Sequence, residues 1–163
     1  MTSTETNSES PSTPAAVVLQ SQIICGALIG GVCTFFFITM MVKGSPQPPQ
    51  IAYIAALAAV GVIGLRFVVP NLVAAARLKS LAGVNGPELE LKIYQILMTK
   101  LIISLALLEG GAFFNLISLL LEGQIWTLAI VGVLVLLMAI QFPTVNTFQA
   151  AADDAKREVQ SHF

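Results

Sequence analysis

Residues 23–42 read IICGALIGGVCTFFFITMMV, twenty consecutive residues without a charge. As a helix rising 1.5 Å per residue such a run is about 30 Å long, the thickness of a bilayer's hydrocarbon core. It stops at Lys43 and the segment GSPQPPQ, whose three prolines and one glycine forbid continuation of the helix. Three further apolar runs follow, at about 51–73 (IAYIAALAAVGVIGLRFVVPNLV), 97–121 and 125–142. The last two are separated only by the turn Glu122-Gly123-Gln124, and Pro143 closes the fourth. The pattern predicts an all-α, polytopic membrane protein with four transmembrane helices.

Composition agrees. The 163 residues are 56% hydrophobic and only 10% charged, with a mean hydropathy of +0.84. A soluble domain carries about 25% charged residues, so this chain cannot cover its own surface in water. Residues 1–19 begin MTSTETNSESPSTPAA, too polar to offset the entropy of ordering, and read as a disordered cytoplasmic tail. The tail lacks the basic start of a cleavable signal, so span one is expected to act as an uncleaved anchor. Residues 20–144 form the four-helix transmembrane domain, and 145–163 a charged cytoplasmic segment expected to be a short, partly frayed surface helix.

The connection from Arg77 to Lys100 is the longest. Within it Asn85-Gly86-Pro87-Glu88 has the chemistry of a helix start, with Pro in the first turn and acids where the helix dipole favours them. Leu89, Ile93, Ile96 and Leu97 then share one side, so span three is predicted to begin as an amphipathic helix outside the bilayer. With four crossings, both tails and this loop share a face that holds Arg77, Lys79, Lys92, Lys100, Lys156 and Arg157, six of the eight basic residues. The opposite face holds Lys43 alone. Positive-inside bias therefore puts both termini in the cytoplasm, in a cell (plasma or inner) membrane.

Several functions are disfavoured by what the chain carries. A net charge of −1, with no basic cluster longer than Lys156-Arg157, leaves no electrostatic footprint for nucleic acid. Cys25 and Cys33 lie eight apart inside span one and read as small apolar packers, and His162 has no neighbouring ligand; neither a metal nor a cofactor is expected. The sequence holds no HExxH, CxxC, GxSxG or phosphate loop, so catalysis by this chain alone is not expected.

Two ionisable groups lie within the spans, Arg66 and Glu109, each costing roughly 2.5–3.5 kcal/mol near the bilayer centre. Arg66 is eleven residues before Arg77 and Glu109 nine after Lys100, which puts them about 16 and 14 Å from the same face on consecutive antiparallel helices. Three readings follow. In the first, the two lock spans two and three as an ion pair, since the guanidinium fork suits a carboxylate. Alternatively Arg66 snorkels inward while a protonated Glu109 bonds a backbone carbonyl, Asn115 or Ser104. In the third, Glu109 binds and releases a proton or cation. Small residues mark close helix approaches: Gly26 and Gly30 form a GxxxG stripe, Ala55/Ala59 or Ala52/Ala56 repeat at four, and Gly110-Gly111 follow Glu109.

The stretch LIISLALLEGGAFFNLISLLL, residues 101–121, resembles the carboxylate-bearing helix of the ATP synthase c subunit, where an apolar Ser-Leu-Ala run leads to a mid-membrane Glu followed by small and aromatic residues. Over residues 51–121 the polar loop with Pro87 and Glu88, and the Ala/Gly-containing span two, would correspond to that family's loop and first helix. The resemblance implies that Glu109 is an ion-binding carboxylate. Span two departs from the family in having only Gly61 and Gly64 among its alanines and in carrying Arg66. Two functions are therefore expected as alternatives: a small structural or accessory membrane protein acting by helix–helix contacts, or proton or cation translocation using Glu109. The expected partners are the lipid bilayer and, through the small-residue stripes, a homo-oligomer or a membrane complex.

Overall fold

A computed structural model describes residues 14–42, 45–79, 81 and 86–161. Five helices run in order: α1 Pro14–Val42, α2 Gln50–Lys79, α3 Pro87–Glu122, α4 Thr127–Ile140 and α5 Val145–Ser161. No strand occurs among the described residues. Within α1, α2 and α3, the segments Ala15–Val42, Gln50–Lys79 and Glu88–Glu122 are each long and apolar enough to cross a membrane. α4 has 14 residues and is bent by 72° from α5; the two count as a fourth span only if the bent pair is taken as one.

α3 is the axis of the molecule and packs against all four other helices. Its 36 residues extend about 54 Å, well beyond a bilayer's core. Leu105, Leu108, Ala112, Leu116 and Leu119, spaced by three and four, are fully buried. Leu105, Leu108, Ala112 and Leu116 pack with Cys25 and Val32 of α1, Ala59 of α2, and Val131, Leu134 and Met138 of α4. On α2, Ala52, Ala55 and Ala59 form a buried small-residue row. Where α2, α3 and α4 meet, a Cβ on Gly111 would stand 3.5 Å from both Val62 and Leu134, so a long side chain has no room there.

A second core lies at the opposite end of α3. Val17 and Val18 of α1, Ala74 of α2, Leu89, Ile93, Tyr94 and Ile96 of α3, and Phe148, Ala152 and Ala155 of α5 are buried together. Phe148, Ala152 and Ala155 recur at four and three, the stripe of an amphipathic helix. Phe148 stacks on Tyr94 with ring centroids 6.1 Å apart, and Lys156 reaches Glu90 at 3.6 Å. The charged C-terminal segment, expected as a partly frayed surface helix, is thus a docked helix.

Two boundaries differ from those read in the sequence. The tail assigned to residues 1–19 lies outside the described residues as far as Thr13, but the chain is helical from Pro14 because Val17 and Val18 are part of the second core. The fourth run is a short α4 lengthened by i→i−3 bonds at both ends: Leu128 N–H donates to Ile125 at 3.0 Å and Phe142 N–H to Ala139 at 3.1 Å. It then breaks at Pro143, after which Thr144 and Thr147 cap the start of α5 by reciprocal hydrogen bonds of 3.3 and 3.1 Å. α3 does begin at Pro87, with Glu88 and Glu90 in its first turn. Lys43, Asn85 and His162 lie outside the described residues.

Candidate functional site

The polar groups of the apolar helices are placed by the α2–α3 register. The backbone N–H groups of Ile51 and Ala52 donate to the Glu122 carboxylate at 2.6 and 2.8 Å, so the start of α2 is level with the end of α3. Arg66 is fourteen residues beyond Ala52 and Glu109 thirteen before Glu122, which puts both about 20 Å from that end. Their heights match, but their directions do not. Glu109 Oε1 lies 3.5 Å from where Gly31 of α1 would carry a Cβ. Arg66 instead lines a cavity with Lys100, Leu101 and Ser104 of α3. Five residues separate Ser104 from Glu109, about 140° around the helix. The expected ion pair is accordingly absent among the described residues, whose salt bridges are Lys92–Glu88 and Lys156–Glu90.

Neither proposed polar partner reaches Glu109. The Ser104 hydroxyl donates to Gln141 Oε1 at 2.7 Å, across to the end of α4. Asn115 is fully buried and its amide donates to the Ala55 carbonyl of α2 at 3.2 Å and to its own helix at Gly111, 2.9 Å away. Its Oδ1 has no hydrogen-bond partner. Ser104 and Asn115 are therefore stitches of α3 to α4 and to α2. Glu109 is half-buried in the α1–α3 seam, one helical turn before Phe113, which meets Phe35 edge-on at 5.2 Å. A Cβ at Gly31 would meet the carboxylate at ordinary van der Waals distance.

Glu122 is a structural residue that the reading of the sequence passed over as part of a turn. It is 5% exposed, and its carboxylate satisfies two backbone donors at the start of α2. An anion there also meets the positive end of the helix dipole. The missed signal lies in Pro48-Pro49-Gln50: no Ser, Thr, Asp or Asn stands where a helix needs a cap, so an acceptor has to come from elsewhere. Gly123, at φ 65°, ends α3 in a left-handed turn that returns its N–H to Leu119. Gln47 N–H donates to the Glu122 carbonyl at 3.0 Å and Gln124 to the Gln47 carbonyl at 2.7 Å. Tyr53 and Trp126, 5.9 Å apart, mark this end with the aromatic pair typical of a membrane–water boundary.

The glycines divide. Gly111 is an internal contact of α2, α3 and α4, whereas a Cβ on Gly26, Gly30 or Gly110 would meet nothing within 4 Å. Gly26 and Gly30 continue into exposed Cys33 and Phe37, so this stripe faces away from the bundle instead of packing it.

Fold and site together define an all-helical protein with three to four helices suited to crossing a membrane, built around one polar-stitched central helix. No protein-family model matches the chain, and no curated protein or solved structure shows significant similarity to it.

Proposed function

We propose that the protein is a small four-span membrane protein, both termini cytoplasmic, with a structural or accessory role exercised through helix–helix contacts with a second copy or a membrane complex. The outward Gly26–Gly30 stripe, with open space above both glycines, is the observation that carries this reading. Small residues on an exposed face let another helix approach closely, and packing is what drives association where the hydrophobic effect is absent. Size determination of the full-length chain in mild detergent should give an oligomer that Gly26→Leu with Gly30→Leu reduces to a monomer. A wild-type monomer in native lipid nanodiscs as well as in detergent would remove the reading.

A second reading keeps Glu109 as a proton- or cation-binding group, in the manner of an ATP synthase c-type subunit. It is supported by the carboxylate's lack of an ion pair or hydrogen bond among the described residues, where it lies against Gly31 of α1. A hydrophobic carbodiimide should label Glu109 in the native membrane in a pH-dependent way. Absence of labelling at every pH would exclude it.

A further inference from the structure

A cavity of about 370 Å³ opens where α2, α3 and the α4–α5 break meet. Two prolines line it. Pro70 lies inside α2 and cannot donate to the carbonyl of Arg66, one turn earlier, and Pro143 ends α4 so that α5 leaves at 72°. The lining includes two cations, Arg66 and Lys100, and no carboxylate. Its neutral polar groups are already engaged within the protein. Asn71 donates to Phe67 O at 2.7 Å, Ser104 to Gln141 at 2.7 Å, Gln141 to Leu137 O at 3.1 Å, and Thr147 to Thr144 O at 2.9 Å. Among the described residues the two cations have no carboxylate partner, and Arg66 rests 5.3 Å over the Phe67 ring. Asp154 lines an adjoining cavity that shares Lys100, yet forms no ion pair with it.

We propose that this cavity holds the phosphate-bearing headgroup of an anionic phospholipid. The inference rests on the membrane reading above, which sets the cavity between the depth of Arg66 and the Lys100 end, where the basic residues gather. Two unpaired cations suit a phosphate, Arg by its planar fork and Lys as a point charge. Basic pockets between membrane helices on the cytoplasmic side are a recurrent form of headgroup recognition. Phe67, Val68 and Leu72, all more than half exposed on α2, offer an apolar wall for acyl chains beside the charged pocket. A zwitterionic headgroup would bring its own cation against Arg66 and Lys100, so net negative charge is selected.

Native mass spectrometry of the full-length protein in mild detergent, with dioleoylphosphatidylglycerol, dioleoylphosphatidylcholine and glycerol 3-phosphate as probes, tests this. Phosphatidylglycerol should be retained over phosphatidylcholine, and Arg66→Gln with Lys100→Gln should weaken it by about tenfold or more. The charge-matched Lys79→Gln with Arg157→Gln, both exposed, should leave binding unchanged, and Arg66→Lys with Lys100→Arg should retain it. Equal retention of the two lipids, equal loss in the two neutralised variants, or glycerol 3-phosphate binding as tightly as the lipid would overturn the proposal. The last outcome would assign a soluble phosphate instead. Binding in detergent is read without reference to orientation, so a failure of the topology, tested by labelling the termini, is distinguishable from a failure of lipid selectivity.

Discussion

At the scale of single residues, the buried polar groups hold helices together at different heights. Glu122 joins the first turn of α2 to the last of α3, replacing a cap that Pro49 and its neighbours cannot supply. Glu122→Ala strands two backbone donors and removes an anion from a helix N-terminus, and should destabilise the protein by about 1–2 kcal/mol, with Glu122→Gln losing less. Thermal unfolding in a single detergent measures both. Arg66 and Glu109 point in different directions from matched heights, so their substitutions should behave independently. Arg66→Gln and Glu109→Gln should add to within about 0.5 kcal/mol in a double-mutant cycle. A coupling above that would mean that the two side chains meet. Their similar depth was legible from distances to Arg77 and Lys100. Their azimuth was not, because it depends on which face of α3 each neighbouring helix takes.

At the scale of elements, α5 differs most from its sequence reading. Its apolar residues are few and mostly alanine, so it resembles a solvated segment until Phe148, Ala152 and Ala155 are found to share one stripe. That stripe closes a core with residues from α1, α2 and α3, and Phe148 is its largest member from α5. Phe148→Ala should cost about 3 kcal/mol and release α5. Limited proteolysis would report cleavage around Pro143–Phe148 in the variant and protection in the wild type. α4 is likewise shorter than its apolar run, because the tightened turns at both ends follow from the bends at Gly123 and Pro143. Those breaks are plain in the sequence; how far a tightened turn extends the helix beyond them is not.

At the scale of the whole molecule, the chain has two ends of different character: an aromatic- and carboxylate-stitched end at Tyr53, Trp126 and Glu122, and an end with its own small core, where the basic residues gather. If the four-span arrangement holds, a cysteine introduced near residue 16 and one at residue 157, in a chain lacking Cys25 and Cys33, should react with a membrane-impermeant maleimide from the same side. Labelling from opposite sides would require three crossings. The helical class, the apolar runs and the turn positions were determined by the sequence itself, since the length of a charge-free run and the placement of Pro and Gly act locally. Tertiary structure alone decided that Arg66 lines a cavity, that Glu109 lies against Gly31 and that Gly26 and Gly30 face outward. Each depends on the rotation of one helix about its axis relative to another, and in helices apolar on nearly every side no stripe of sequence specifies that angle.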